Sequence, residues 1–144
     1  MKVNEKINAF GLRVFSKSKG QILIGKFKDF ASYWTLPAVF KLDSVTDWND
    51  PLSLLTDLSK SIGTDILSLI SIYNGTYTAE KNGVQCPYNI TIYDATVEFG
   101  DESCPEWQTS LTWPTWVEVG KFVNMRDLNL LAMTLRNIMK KEEV

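Results

Sequence analysis

The stretch LPAVFKLDSVTDWNDPLSLLTDLSKSIG, residues 36–63, decides the fold because it joins an apolar β-type run to a helix with complete end signals. Asp50 suits the N-cap, Pro51 suits the first helical position, and Gly63 suits the residue that follows the helix. Together these signals predict a helix over residues 51–62.

One face of this helix is predicted to be buried. Four large apolar residues recur at helical spacing and form the predicted buried stripe, with Leu54 beside it: Leu52, Leu55, Leu58 and Ile62. The other face is predicted to carry Asp57, Lys60 and Ser61. A lysine three residues after an aspartate is close enough on a helix to pair with it.

The rest of the chain is rich in β-type segments, which are predicted near residues 7–15, 21–28, 34–40, 66–78, 88–99 and 116–119. The first two are predicted to form a hairpin, Pro37 marks an edge or a bulge in the third, and Asn82-Gly83 is a turn signal. A second amphipathic helix is predicted near residues 125–141, with its apolar residues in the core: Leu128, Leu131, Leu135, Ile138 and Met139. This order of elements predicts a mixed sheet with a helix on each face, an α/β/α sandwich.

Length and composition limit the classes of protein. The 144 residues suit a single domain over residues 1–144, and the 44% hydrophobic and 22% charged content is ordinary for a globular chain. The chain has no histidine, which excludes Ser-His and Cys-His nucleophile pairs and almost every zinc site. Any catalytic chemistry would have to use carboxylates, lysines or hard cations.

The apolar runs of the chain and its first ten residues predict a cytoplasmic protein without a membrane partner. No apolar run approaches the roughly 20 residues that span a bilayer, and the first ten residues lack the apolar segment of a secretion signal. Cys86 and Cys104 are therefore expected to be free thiols.

Charge is distributed unevenly along the chain. Residues 1–41 contain eight Lys/Arg and two Asp/Glu, whereas residues 42–124 contain three and twelve. Such asymmetry can indicate an anionic partner on one face, although lysines in turns are commonly just solvated.

Several segments resemble the Nudix hydrolase family, and the resemblance covers nearly the whole chain. GQILIGKF (20–27) looks like its second strand, WTLPAVF (34–40) occupies the place of its tryptophan-leucine-proline-glycine-glycine turn, and TWVEVGKF (115–122) looks like the strand before its final helix. The helix at 51–62 occupies the place of the Nudix helix. The resemblance implies a Nudix-like (MutT-like) α/β/α sandwich, with a mixed β-sheet flanked by helices.

The Nudix box itself is degenerate. When its final glycine is aligned with Gly63, Asp57 takes the place of the first glutamate of its arginine-glutamate segment. Lys60 and Ser61 then take the places of the two consecutive glutamates that the family uses to bind Mg²⁺. Because clustered carboxylates are what holds a hard dication, this helix is expected to bind no metal and to carry no catalytic residue.

Other residues are candidates for contact with a ligand. Arg13, Lys26 and Lys28 could hold an anion, and Trp34 could contact a ligand or a partner. Asp94 and Glu98 are candidates too, because some relatives recruit a glutamate from this part of the fold. With Asp101, Glu102 and Glu106, these two acids could instead rebuild a metal site; their simpler explanation is the solvent-facing side of an alternating strand and its loop.

The resulting prediction is a pseudoenzyme: a catalytically inactive Nudix-fold domain that needs no cofactor and serves as a sensor of a nucleotide-like ligand or as a protein-interaction module. One alternative is an active Nudix-type phosphohydrolase of a nucleoside diphosphate derivative, with Mg²⁺ at a rearranged site. A second alternative is a nucleic-acid-binding scaffold that uses the basic N-terminal segment and exposed aromatic residues.

Overall fold

The computed structural model describes residues 2–16, 19–27, 30–44, 50–98 and 112–142. The elements are, in chain order, β1 (Lys2–Val3), β2 (Ile7–Val14), β3 (Gln21–Phe27), β4 (Phe30–Thr35), β5 (Ala38–Leu42), α1 (Pro51–Ile62), β6 (Ile66–Lys81), β7 (Val84–Val97), β8 (Thr112–Glu118), α2 (Val119–Phe122) and α3 (Leu130–Glu142).

The strands form two sheets. In the larger sheet β7 pairs with β6 on one side and with β1 and β2 on the other, and β2 also pairs with β5. The pairing of β2 with β7 is parallel, whereas β5 and β6 run antiparallel to their neighbours, so the sheet is mixed. The smaller sheet has the strand order β4-β3-β8 and is antiparallel.

Strand β2 lies between β7 and β5 in the larger sheet and is buried on both faces. Ala9 belongs to a core that contains the buried residues of α3, whereas Phe10 and Leu12 belong to a second core under α1. Because successive side chains of a strand point to opposite faces, α1 and α3 lie on opposite sides of the sheet. The predicted α/β/α sandwich with a mixed sheet is confirmed.

The predicted N-terminal hairpin is wrong. Strands β2 and β3 belong to different sheets and are joined beside their turn by an isolated bridge between Phe15 and Ile22. The apolar pattern and the polar turn suit a hairpin, but β2 pairs instead with β7 and β5. Burial on both faces at the centre of a mixed sheet outweighs the local turn signal.

Pro37 separates two strands where one was predicted. The segment 34–40 is divided at Leu36 and Pro37, so that β4 lies in the small sheet and β5 in the large one. Proline has no N–H to donate to a ladder, and here it stands where the chain leaves one sheet for the other. The carbonyl of Pro37 accepts a hydrogen bond from the Leu12 N–H at 3.0 Å, which ties this crossing to β2.

The turn predicted at Asn82-Gly83 is confirmed. Both residues have positive φ angles, 55° and 77°, which suits the tight turn of a hairpin. Strands β6 and β7 extend right up to this turn and are longer than predicted.

The ends of α1 are as predicted, but its buried stripe is shifted. The Asp50 side chain accepts a hydrogen bond from the Leu52 N–H, and Gly63 adopts a left-handed φ of 74°. The stripe consists of Leu54, Leu58, Ser61 and Ile62. Leu52, predicted to be buried, is 75% exposed, since at 100° per residue it points about 120° away from Leu58.

The last helix begins later than predicted. The Asn129 side chain accepts a hydrogen bond from the Ala132 N–H at 3.1 Å, and the helix starts at Leu130. Leu128 lies before the helix and is buried, where it bridges to Trp34 of β4. The predicted core residues of the helix itself are confirmed, because Leu131, Leu135 and Met139 are buried and Ile138 is half-buried. None of the helices in the described ranges is long and apolar enough to cross a membrane.

The shifted stripe of α1 gives a direct test. Leu58→Ala removes a side chain with 0% exposure and is expected to lower the free energy of unfolding by about 2–5 kcal/mol. Leu52→Ala, on the same helix, is expected to change it by less than about 0.5 kcal/mol. Urea denaturation measures both, and equal losses would contradict the stripe described here.

Candidate functional site

An ion pair between β5 and α1 forms the centre of the candidate site. The Nζ atom of Lys41 lies 2.7 Å from Oδ2 of Asp57, and the two side chains are 11% and 35% exposed. The prediction that Lys60 pairs with Asp57 is wrong, because the cation comes from a neighbouring strand. Lys60 is exposed to solvent on the outer side of α1.

Ser61 points away from Lys60 and into the protein. It is 5% exposed, and its hydroxyl donates a hydrogen bond to the Leu58 carbonyl at 2.7 Å. The three residues predicted to share one helix face are neighbours on it but differ in environment: Asp57 is half-buried against β5, Lys60 is in solvent and Ser61 is in the core.

A surface depression of about 540 Å³ lies at the C-terminal end of α1. Its lining consists of Leu55, Thr56, Ser59, Lys60, Gly63, Thr64, Asp65 and Ile66. Glu98 is tied to this region through its main chain: its carbonyl accepts a hydrogen bond from the Thr64 hydroxyl at 3.2 Å, and its N–H donates to the Asp65 carbonyl at 3.3 Å. The depression therefore combines one ammonium and one carboxylate with several hydroxyl groups.

Two of the predicted ligand-binding residues, Lys26 and Trp34, meet on the small sheet. The Lys26 Nζ atom lies 4.6 Å from the centroid of the Trp34 ring, a cation–π contact. The main chain of Trp34 donates a hydrogen bond to the Asp127 carbonyl at 2.7 Å and accepts one from the Asn129 N–H at 2.9 Å. Both side chains are half-buried, so an ammonium group and an aromatic ring are held together at the surface on a fixed backbone.

Two further predicted residues, Arg13 and Asp94, also come together, but they bind each other. Two nitrogen atoms of the Arg13 guanidinium contact the Asp94 carboxylate at 3.2 and 3.1 Å, and a third contacts Glu142 of α3 at 3.1 Å. Phe15 lies under the same guanidinium, with its ring centroid 4.9 Å away. Burial by itself lowers the pKa of Arg13. The hydrogen bonds and negative charges of Asp94 and Glu142 together raise it by more, so the pKa of Arg13 lies above its ordinary value.

The contacts of Arg13 with Asp94 and Glu142 stabilise the fold and leave little room for a ligand. Arg13 is only 8% exposed and already holds two carboxylates, so it has little capacity for an external anion. It joins β2, β7 and the C-terminal end of α3. Of the other predicted residues, Lys28, Asp101, Glu102 and Glu106 lie outside the described residues.

The α1 face does not fit the Mg²⁺ that the resemblance implies. Over the described ranges of the chain, no three Cys, Asp or Glu side chains converge in a group that could hold a metal ion. Asp57 is neutralised by Lys41, Lys60 carries a positive charge, and the Ser61 hydroxyl bonds its own helix. We therefore derive no catalytic step through a metal at this face.

Hydrogen-bonded polar side chains form a ladder across the large sheet that was not predicted from the sequence. Asn8, with 0% exposure, donates to the Asp43 carboxylate at 3.2 Å and accepts a hydrogen bond from the Asn89 amide at 3.4 Å. The Asn74 amide in turn donates to Thr91 at 2.8 Å. The Asn74 amide also donates to the Asn89 side chain at 3.4 Å, and Asn8 donates to the Lys41 carbonyl of β5 at 3.4 Å, so the ladder links β6, β7, β2 and β5. No periodic signal in the sequence marks it. The pairing of Lys41 with Asp57 was not predicted either, although Lys41 stands in the sequence just before the acidic segment that precedes α1.

The fold is similar to that of solved Nudix proteins. A Nudix hydrolase from Nitrosomonas europaea matches with a TM-score of 0.66 and 9% sequence identity, over 96% of this chain and 90% of that one. The NUDIX domain of NrtR from Shewanella oneidensis, solved in complex with ADP ribose, matches with a TM-score of 0.65 and 13% identity, over 100% of this chain and 91% of that one. The dihydroneopterin triphosphate pyrophosphohydrolase of Escherichia coli matches with a TM-score of 0.64 and 10% identity, over 97% of both chains.

The amino-acid sequence itself matches no protein-family model and no curated protein. The structural likeness extends over nearly the whole chain and identifies the Nudix fold, as the sequence resemblance implied.

The electrostatic character of the α1 face can be reversed by substitution. In the double variant Lys41→Met with Lys60→Glu, Asp57 and the new carboxylate stand three residues apart on one helix with no ammonium group between them. This variant is expected to bind Mn²⁺ with a dissociation constant on the order of 1 mM, whereas the unchanged protein shows no saturable binding. Isothermal titration calorimetry measures the difference.

Lys41→Met with Lys140→Glu is the matched control, since it makes the same change in net charge but places the new carboxylate on α3 instead of beside Asp57. A double variant that titrates like the control would show that this face has no capacity for a cation. Saturable Mn²⁺ binding by the unchanged protein would contradict the account of the Lys41–Asp57 pair.

Proposed function

We propose that this chain is a catalytically inactive Nudix-fold binding module that senses a nucleotide-like ligand. The observation that carries the proposal is the 2.7 Å contact between Lys41 and Asp57. A divalent cation about 4 Å from that ammonium group would meet roughly 8 kcal/mol of repulsion at an effective dielectric constant of about 20. A tethered cation thus stands beside the carboxylate that the resemblance aligns with a Nudix glutamate.

The ligand side of the proposal rests on Lys26 and Trp34. An aromatic ring can stack on a nucleobase, a contact that contributes about 1–3 kcal/mol per base, and an ammonium group suits a phosphate. Here both groups stand on neighbouring strands, and the hydrogen bonds of the Trp34 backbone to Asp127 and Asn129 fix the position of the ring. The similar NUDIX domain of NrtR was solved with ADP ribose, a ligand that has both a base and a diphosphate.

The rival functions have less support among the described residues. A rearranged metal site would be built from Asp57 and the acids of residues 94–106, but Asp57 is paired with Lys41 and Asp94 is held by Arg13 at two points. A nucleic-acid scaffold would need a free basic segment, but Arg13 is occupied by two acids and the chain as a whole carries a net charge of −2. Docking onto a protein remains an outcome of the binding experiment below.

Catalytic inactivity is tested by turnover. Nucleoside diphosphate derivatives incubated with the protein and Mg²⁺ or Mn²⁺ are expected to release no product above the protein-free blank, because the α1 face lacks the carboxylates that activate water through a metal. An active Nudix pyrophosphohydrolase serves as the positive control. Turnover that disappears in Asp57→Asn would overturn the proposal in favour of the rearranged enzyme.

Ligand binding is tested by thermal shift without added metal. ADP and ADP-ribose, each at about 100 times its dissociation constant, are expected to stabilise the protein by about 2.7 kcal/mol. Lys26→Ala and Trp34→Leu are expected to abolish the shift.

Lys121→Ala is the matched control, because this exposed lysine lies on α2, at the end of the small sheet away from Lys26. An equal loss of the thermal shift in Lys121→Ala would show that ligand binding does not depend specifically on Lys26. The absence of any shift with either ligand would leave protein docking as the function of the module and overturn the nucleotide assignment.

A further inference from the structure

Among the described residues, strand β6 forms an open edge of the large sheet. It pairs with β7 along Ile66–Lys81 and has no second partner strand among the described residues. At 16 residues it is about three times the usual length of a strand. A long row of backbone N–H and C=O groups therefore faces outward, which is a template for pairing with another strand.

The sequence of this edge lacks the residues that usually protect one. From residue 66 to residue 79 it reads ILSLISIYNGTYTA, with no charged residue and no proline. Leu67 and Ile70 are each 63% exposed. Two β-bulges, at residues 66–68 and 71–73, twist the strand but bring no charge to it. The opposite edge, β5, has only five residues and contacts α1.

We propose that β6 pairs with β6 of a second copy of this chain, antiparallel, to form a symmetric dimer with a continuous sheet. The charge pattern favours a copy of the same chain over a different partner. Around a twofold axis each residue near the centre meets its own copy or a close neighbour, so a charge there would face a like charge. The interior of β6 is neutral throughout residues 66–79.

The charges at the two ends of the strand are complementary in the same arrangement. An antiparallel overlap of residues 65–81, which begins one residue before β6, places residue 65 of one copy beside residue 81 of the other and sets an aspartate against a lysine at both ends. Tyr73 then lies at the twofold axis. The dimer would also cover the exposed surfaces of Leu67 and Ile70. This proposal is independent of the ligand at Lys26 and Trp34.

Sedimentation velocity over a concentration series tests the dimer. The unchanged protein is expected to shift from one chain mass to two as its concentration rises. The double variant Leu67→Lys with Ile70→Lys introduces lysines, which natural edge strands use against pairing, and is expected to raise the dissociation constant of the dimer at least about tenfold.

The matched control is Leu52→Lys with Met133→Lys, which makes the same chemical change at two exposed helical positions. It is expected to dimerise like the unchanged protein. Hydrogen exchange gives a second readout, since the amides of β6 become protected at high concentration only if that strand is the interface. A monomer at every concentration, or a β6 variant that dimerises as tightly as the control, would overturn the proposal.

Discussion

The burial of β2 on both faces is the constraint on which the rest of the structure depends. Ala9 packs toward α3, while Phe10 and Leu12 pack toward α1, so the two helices are held on opposite sides by alternate residues of one strand. Gly11 faces α3, and a Cβ atom there would be in ordinary van der Waals contact with Leu36 at 3.4 Å and Leu131 at 3.5 Å. A shift of β2 by one residue would exchange the two cores, which is why its register is strongly specified.

The polar contacts of the molecule act around this strand. Arg13 on β2 holds Asp94 on β7 and Glu142 at the end of α3, and Asn8 on β2 connects the edge of β5 to β7. A buried polar group stabilises a fold only when its hydrogen bonds are satisfied, and the buried side-chain polar atoms of the described residues all have partners. The Lys41–Asp57 pair belongs to the same set of contacts. It fixes α1 against β5, and in doing so it places a positive charge at the helix face where a bound Mg²⁺ would need negative ones.

The sequence predicts α1, the turn between β6 and β7 and the layer architecture well, because α1 and the turn depend on local signals and the layers follow from the order of the elements. Asp50, Pro51 and Gly63 define α1 by side-chain and backbone properties of single residues. The wrongly predicted hairpin of β2 and β3 shows the limit of local signals. A polar turn predicts that the two strands it joins pair with each other, but the partners of β2 are set by burial across the whole sheet.

The candidate site is predictable to a similar degree. Residues on one element are found from spacing, as Asp57 was, but its partner Lys41 lies on another element and requires the three-dimensional register. Lys26 and Trp34 were separate candidates in the sequence, and the pairing of β3 with β4 brings them together.

The mixed pairing around β7 has a consequence for the order in which the chain folds. Strands β6 and β7 are joined by a two-residue turn and can zip together from Asn82 and Gly83 with little loss of chain entropy. The parallel contacts of β2 with β7 instead close a loop of about 80 residues, as between Ile7 and Tyr88. Because such distant contacts slow folding, we expect the hairpin of β6 and β7 to form first and β2 to dock late. In a nascent chain the core that contains Ala9 closes later still, because it also needs the buried residues of α3.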